Sequence, residues 1–148
     1  KMIDTNVKGL LYITRLVSRM MIESGQGGLI VNIGSVAGSQ TYADGAVYCA
    51  SKHAVHALSE GMRIDLLKHG MKVSEVRPGM VENEFSVVRF HGDRQRADKV
   101  YEGVKPLSAE DIADVIGWIV SLPPHVNVND ILVMPTQQAD AHYTDRKP

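Results

Sequence analysis

Short apolar runs alternate along the chain with amphipathic helical patterns, and this alternation constrains the fold more than any other feature. The apolar runs are LIVNI (residues 29–33), KVSEVRP (72–78) and DILVMP (130–135). The helical patterns cover about residues 4–24, 46–68 and 108–122. A helix before each strand is typical of a parallel sheet, whose strands are joined by crossover helices. The sequence therefore predicts a single α/β domain over residues 1–148.

Glycine, proline and capping residues mark where the predicted helices begin and end. SGQGG (residues 24–28) ends the first helix, because glycine is the usual residue just past a helix, and His69-Gly70 end the second. SAED (residues 108–111) is typical of a capping box at the start of the third. Residues 79–107 mix glycine, proline and charge, which predicts an irregular segment with one or two small helices.

Composition excludes several classes of protein. The formal net charge is −1 and the largest cationic cluster is the interrupted RFHGDRQR at residues 89–96, so a nucleic-acid-binding surface is not expected. Hydrophobic residues make up 44% and charged residues 22%, as in soluble globular domains. No apolar run is long enough to span a membrane and no signal peptide is visible. We therefore expect a cytoplasmic protein.

The single cysteine and the histidines are given structural roles. Cys49 has no partner for an intrachain disulfide, which fits a reducing compartment, and it is expected to pack as a small apolar residue. His53 and His56 lie three residues apart without a carboxylate or cysteine in ligand register. A metal site is therefore not predicted.

The second predicted helix has two distinct faces. At about 100° per residue, Tyr48, Lys52, Val55 and Ser59 share one side. The opposite side carries only small residues, which are Ala50, Ala54, Ala57 and Gly61. This pattern predicts that the small-residue face packs closely against another element, while the other face presents a phenol with an ammonium group one turn away.

Two further polar residues lie where the predicted sheet would bring them close to this pair. Ser35 follows the first strand at its carboxyl end, the edge at which open α/β sheets bind ligands. Asn6 lies in the first helix, in the phrase NVKG. Alone, each has an ordinary explanation, since Ser35 could cap the next helix and Asn6 could be a surface residue.

These residues together resemble the short-chain dehydrogenase/reductase family over essentially the whole chain. The resemblance rests on NVKG, NIGSVAGS, YCASK with its tyrosine 13 residues after Ser35, and RPGMV. It implies an NADP-dependent oxidoreductase, with NAD possible, built on the C-terminal portion of a Rossmann-type doubly wound parallel sheet.

The resemblance also implies roles for the catalytic residues Asn6, Ser35, Tyr48 and Lys52. Tyr48 would exchange a proton with the substrate oxygen, and Lys52 would favour the phenolate because an adjacent positive charge lowers the pKa of a phenol. Lys52 would also bind the nicotinamide ribose. Ser35 would bind the substrate oxygen, and Asn6 would hold a water that links Lys52 to solvent.

A loop after the second strand is expected to contact the nicotinamide. The resemblance assigns this contact to Pro78, Gly79 and Val81, together with Tyr48 and Lys52. The family's usual threonine in PGxVxT is replaced by Asn83, whose amide could reach the carboxamide or a phosphate. This substitution departs from the family pattern.

Two segments are similar to those of bacterial NADP-dependent dehydrogenases of serine, allo-threonine and 3-hydroxy acids. They are EFSVVRFHGD (84–93) and LPPHVNVNDILVMPTQQ (122–138). By this likeness residues 84–93 belong to a substrate loop. Arg89 in this loop either binds the carboxylate of the substrate, whose oxygen Ser35 binds, or is an ordinary surface arginine.

The N-terminal, cofactor-binding half of the family's fold is not recognised in the sequence. No glycine-rich dinucleotide turn follows a strand, and GQGG at 25–28 precedes a strand instead. The chain is expected to be the catalytic half of a longer protein, the other half being truncated, unrecorded or supplied by another chain. NADP is therefore inferred only from the subgroup likeness.

Other functions stay open. The chain could be a catalytically inactive half-domain that acts as an oligomerisation module, since the helices at 4–24 and 46–69 commonly form subunit interfaces in the family. This likeness predicts a homodimer or homotetramer. A family member that performs epimerisation or dehydration is a further alternative.

Overall fold

The protein is a parallel sheet covered by helices on both faces. The computed structural model describes residues 1–82, 84, 87–88 and 92–147, so Asn83 and Arg89 lie outside the described residues. The helices are α1 (Leu10–Ser24), α2 (Ala46–Leu66), α3 (Arg94–Asp98) and α4 (Ala109–Ser121). The strands are β1 (Gly28–Ile33), β2 (Met71–Pro78) and β3 (Asp130–Val133). This order confirms the predicted alternation and the α/β fold class.

The three strands lie in the order β1-β2-β3 and are all parallel. Pairing runs from Gly28 opposite Met71 to Ile33 opposite Val76, and β3 pairs with β2 up to Pro78 opposite Val133. β3 therefore ends two residues earlier than predicted: its pairing with β2 stops at Val133, and Pro135 has no amide hydrogen with which to continue a strand. The carboxyl ends of all strands meet at one edge of the sheet.

Two apolar clusters hold the layers together. On one face, Met62 and Leu66 of α2 pack on Met71 and Val73 of β2, and Leu10, Met21 and Ile22 of α1 extend this cluster. On the other face, Val76 packs with Ile112 and Ile119 of α4. Burial of such side chains is the main favourable term in folding, so β2 is the centre of the domain.

The predicted packing face of α2 is wrong. Ala50 and Ala57 are exposed, and a Cβ added to Gly61 would meet no atom within 4 Å. The helix buries a different set, which comprises Cys49, Ser51, Val55, Ser59, Met62 and Leu66. Larger apolar side chains gain more from burial than alanine does, so α2 turns them towards the sheet. The burial of Cys49 confirms its predicted structural role.

The helix ends follow the predicted chemistry. Gly25 after α1 and Gly70 after the 3₁₀ turn Leu67–His69 both adopt positive φ, at 67° and 64°. Ser108 and Asp111 form the predicted capping box at the start of α4. In the described part of the chain, no helix has both the length and the apolar character needed to cross a membrane.

Candidate active site

A cavity of about 380 Å³ opens at the carboxyl edge of the sheet. Its lining includes every predicted site residue that lies within the described part of the chain, namely Asn6, Ser35, Tyr48, Lys52, Pro78, Gly79 and Val81. These residues come from four separate segments, and the fold brings them together at the edge where α/β sheets bind ligands.

Ser35 is fixed by the turn that follows β1. Its backbone is extended, and its Oγ accepts a hydrogen bond from the amide of Ala37 at 3.1 Å. The serine thus caps the short 3₁₀ turn Val36–Gly38. Because the hydroxyl uses an acceptor site in this bond, its own hydrogen is available for another acceptor in the cavity.

Tyr48 and Lys52 lie one turn apart near the start of α2. The Lys52 ammonium is 5.9 Å from the centre of the Tyr48 ring, and it donates a hydrogen bond to the Ile33 carbonyl at 2.9 Å. Burial lowers the pKa of Lys52 below its usual value, and the nearby Glu75 carboxylate opposes that change. The cavity therefore contains a half-buried cation beside a phenol.

Asn6 reaches the site from a widened helical turn. Residues Asp4–Gly9 form a π-helical turn before α1, a feature often found at functional sites. The Asn6 amide donates to Ser51 Oγ at 3.1 Å, and Ser51 Oγ donates to the Tyr48 carbonyl at 2.7 Å. This chain of hydrogen bonds ties the turn to the first part of α2.

The loop after β2 forms another wall of the cavity. Gly79 donates its amide to the Val133 carbonyl at 2.8 Å. A Cβ added to Gly79 would lie 2.5 Å from Gln138 Oε1 and 2.7 Å from Met134 Sδ. A side chain at this position would displace Gln138 and Met134, so glycine lets the segment after β3 pack closely here.

Among the lining residues that the sequence analysis missed, three have polar side chains, which are Tyr42, Tyr101 and Gln138. Gln138 Oε1 accepts from the amide of Met80 at 2.8 Å, and the Tyr101 hydroxyl donates to the Val81 carbonyl at 3.0 Å. Gln138 comes shortly after the last strand, so the sequence could have placed it at the carboxyl edge of the sheet. Tyr101 carries no such signal.

Sequence comparison places the chain among known oxidoreductases. A family model described as short chain dehydrogenase matches residues 1–93. Sulfoacetaldehyde reductase 2 of Chromohalobacter salexigens is 49% identical over 93% of this chain and 55% of its own length. The NADP-dependent 3-hydroxy acid dehydrogenase of Schizosaccharomyces pombe is 42% identical over 99% of this chain and 56% of its own length. The chain thus spans a little over half the length of these curated relatives.

Structural comparison agrees with the sequence. The closed form of a serine dehydrogenase complexed with NADP⁺ superposes with a TM-score of 0.90 and 43% identity. The match covers 99% of this chain and 59% of that one. A crystal structure of serine dehydrogenase from Escherichia coli gives a TM-score of 0.73 at 38% identity, over 93% of this chain and 53% of that one.

Proposed function

The chain belongs to the short-chain dehydrogenase family, and from this premise we propose that it forms the catalytic part of an NADP-dependent oxidoreductase for small hydroxy acids. The observation that carries this proposal is the convergence of Asn6, Ser35, Tyr48 and Lys52 on one cavity. The relatives named for NADP, and the structure that contains it, support the choice of cofactor.

Tyr48 is the general acid and base in this proposal. A free tyrosine has a pKa of about 10 and is mostly a neutral phenol at pH 7. The Lys52 ammonium lies 5.9 Å from the centre of the Tyr48 ring, and a positive charge near a phenol favours the phenolate. Tyr48 then accepts the hydroxyl proton when the alcohol is oxidised, and returns it to the carbonyl oxygen in the reverse direction.

Ser35 and Asn6 support this proton transfer. Ser35 donates its free hydroxyl hydrogen to the substrate oxygen and holds it beside Tyr48. Asn6 contributes from the π-helical turn, where it holds a water that connects Lys52 to solvent. The hydrogen bonds from Asn6 to Ser51 and from Ser51 to the Tyr48 carbonyl keep this turn against α2.

The residues present fit the nicotinamide end of NADP. Lys52 uses one hydrogen for the Ile33 carbonyl, which leaves two for ribose hydroxyls. Pro78, Gly79 and Val81 form one wall of the cavity, and we assign them the contact with the nicotinamide ring. When bound, the cofactor accepts or supplies the hydride. Asn83 is a further proposed contact, predicted from the sequence alone.

The substrate class follows from what the relatives' substrates share. Serine, 3-hydroxy acids and the alcohol formed from sulfoacetaldehyde share one arrangement. The carbon that bears the hydroxyl is bonded to the carbon that bears the acid group, which is a carboxylate or a sulfonate. We assign the acid group to Arg89, because a guanidinium binds a carboxylate or sulfonate through two hydrogen bonds. Arg89→Gln should then raise KM for the alcohol far more than it lowers kcat.

The remaining part of the cofactor site is assigned to residues beyond the catalytic part. In this proposal residues 1–148 are one domain that contributes the tetrad and the substrate loop, and the adenosine end of NADP is bound by a further cofactor-binding part, in the same chain or in another. β1 forms one edge of the described sheet, which leaves it open to pairing with a further parallel strand.

The test is oxidation of alcohols by the full natural chain that contains residues 1–148. L-Serine, L-allo-threonine, 3-hydroxypropanoate and isethionate are each assayed with NADP and with NAD. We expect turnover of at least one carboxylate substrate, faster with NADP. Turnover of isethionate alone would mean that the substrate is a hydroxy sulfonate and not a hydroxy carboxylic acid. No turnover of any substrate by the folded protein would refute the proposal.

A second function is favoured by exposed apolar residues on two helices. Four large side chains of α1 are each more than 60% exposed, which are Tyr12, Ile13, Leu16 and Met20. Near the end of α2, Ile64 and Leu67 are also exposed. We propose that these helices bind a second copy of the chain in a homodimer or homotetramer. A stable dimer that binds no NADP in a titration would indicate an interaction module instead of an enzyme.

A further inference from the structure

A histidine and a buried glutamate lie directly behind the proposed tyrosine and lysine. Tyr48, Lys52 and His56 recur every four residues, so they form one row along α2. His56 Nδ1 is 2.6 Å from Glu75 Oε2. The Glu75 side chain is completely buried on β2, whereas the His56 side chain is 30% exposed. The pair therefore connects the inner side of the site to the protein surface.

The second oxygen of Glu75 lies against the turn that carries Ser35. A Cβ added to Gly34 would collide with Glu75 Oε1 and would lie 2.9 Å from its Cδ. Gly34 stands between Ile33, whose carbonyl accepts from Lys52, and Ser35. The carboxylate thus occupies the space where a side chain at residue 34 would be.

Glu75 Oε1 has no hydrogen-bond donor among the residues that the structure describes. A buried carboxylate oxygen without a donor is costly. An apolar residue would avoid that cost, so a carboxyl group here calls for an electrostatic explanation. Nearby positive charge supplies one.

The side chains around Glu75 are mostly basic. His56 contacts Glu75 from α2. Lys52 of the same helix donates to the Ile33 carbonyl, next to Gly34, against which Glu75 Oε1 lies. Arg77 lies two residues further along the same face of β2. Arg77 is itself paired with Asp130 of β3. Of these groups, Lys52 is the one that lines the cavity without a carboxylate in hydrogen-bond contact.

We propose that Glu75 is a positioning residue of this site, which acts as the buried counter-charge of Lys52 and is itself held in place by His56. This inference rests on the proposed function. Glu75 keeps the lysine protonated and seated on the Ile33 carbonyl, where it can act on Tyr48. His56 supplies the donor that orients the carboxylate, since an ionised carboxylate can only accept hydrogen bonds.

The sign of the effect follows from the two influences on Lys52. Burial lowers the pKa of Lys52, and the Glu75 carboxylate raises it. Removal of the carboxylate charge leaves burial unopposed, so Lys52 loses its proton at a lower pH. A purely structural Glu75–His56 contact would alter stability but not the protonation of Lys52.

The experiment measures this protonation directly, without substrate or NADP. The full natural chain is labelled with trace acetic anhydride across a range of pH, and acetylation of Lys52, which requires the neutral amine, is read by mass spectrometry. In Glu75→Gln we expect the labelling midpoint to fall by roughly one pH unit. His56→Leu should shift it in the same direction by less, and His56→Asn, which keeps an N–H donor, should restore most of the difference.

Ser74→Ala is the matched control. Ser74 is the preceding residue of β2, is fully buried, and lies on the opposite face of the sheet from Glu75. Its labelling curve should coincide with that of the unchanged protein. Coincidence of the Glu75→Gln curve with the unchanged protein would overturn the proposal. If Glu75→Gln does not fold, His56→Leu decides, and an unshifted midpoint there refutes the role.

Turnover provides the second readout. If the oxidoreductase proposal holds, the alkaline limb of the kcat profile should move to lower pH in Glu75→Gln, with little change in KM for the alcohol. The labelling needs no turnover. Absence of activity with all alcohols would therefore refute only the proposed function. The labelling curves would still test the proposed role of Glu75.

Discussion

The two ends of β2 face α2 with opposite chemistry. At the amino end, Met71 and Val73 pack on Met62 and Leu66 of the helix. At the carboxyl end of the same face, Glu75 contacts His56, and Lys52 hydrogen-bonds the end of β1. One helix and one strand thus form both an apolar core and a polar site.

Asn32 marks the border between these two regions. Its amide donates to Ser59 Oγ at 2.9 Å and lies 3.6 Å from Met62 Sδ. Buried polar groups must be hydrogen-bonded to avoid a large desolvation cost. The comparison teaches that the amino end of this layer stabilises the fold, whereas the carboxyl end gives up apolar packing for groups that can do chemistry.

Tyr48→Phe should give the largest functional effect at the polar end. Loss of a general acid–base group typically costs about 10²–10⁴-fold in rate. We expect kcat/KM for the best alcohol to fall in that range while the free energy of unfolding changes by less than about 1 kcal/mol. Steady-state kinetics and urea unfolding provide the two measurements. Retention of most of the rate would show that Tyr48 does not transfer the proton.

Met71→Ala should give the converse result at the apolar end. Truncation of a buried methionine costs about 2–5 kcal/mol of unfolding free energy, and Met71 is only 4% exposed. We expect that loss in urea unfolding, with kcat/KM unchanged while the protein is folded. Val120→Ala on the exposed side of α4 should change stability by about 0.5 kcal/mol or less. A large fall in kcat/KM for folded Met71→Ala would mean that the two regions are coupled.

Gly79→Ala tests the loop after β2, which is the cavity wall beside the proposed nicotinamide position. The new Cβ would lie 2.5 Å from Gln138 Oε1 and 2.7 Å from Met134 Sδ. These side chains must shift, which disturbs the hydrogen bond from the Met80 amide to Gln138. A displacement of about 1 Å in a site can cost about 10²-fold in rate. We expect kcat/KM to fall by about 10–100-fold, with a higher KM for NADP. Gly61→Ala is the control, since its Cβ meets nothing within 4 Å. Equal effects of the two changes would remove the special role of Gly79.

Ser108→Ala should have the smallest effect, because Ser108 belongs to neither of the two regions compared. Loss of an N-cap hydroxyl costs about 1 kcal/mol, and Ser108 caps α4 on the other face of the sheet. Thermal unfolding should detect this loss, whereas kcat/KM should not change. A change in activity would show that α4 contributes to the site.

Local patterns predicted much of this architecture. Alternating helix and strand periods gave the order of the elements, and the four-residue spacing of Tyr48 and Lys52 put both on one helix face. Ser35 was placed correctly because strand ends in a parallel sheet meet at one edge. Each of these features depends on a few neighbouring residues.

Contacts between distant segments could not be predicted in this way. Glu75 and His56 are 19 residues apart and meet only because β2 and α2 pack in one particular register. The packing face of α2 was predicted wrongly because alanine and glycine fit both close contacts and exposed surfaces. Cys49, Val55 and Met62 were the better guide, since their burial removes more apolar area from water.

The most direct test of the site is the acidity of the Tyr48 phenol. Tyrosine labelled with ¹³C at Cζ is followed by NMR against pH in the full natural chain, with Tyr48→Phe to assign the signal and Lys52→Met to remove the ammonium. We expect Tyr48 to titrate below the ordinary value of about 10 and to move up towards it in Lys52→Met. Titration at the ordinary value in both proteins would contradict the proposed proton transfer.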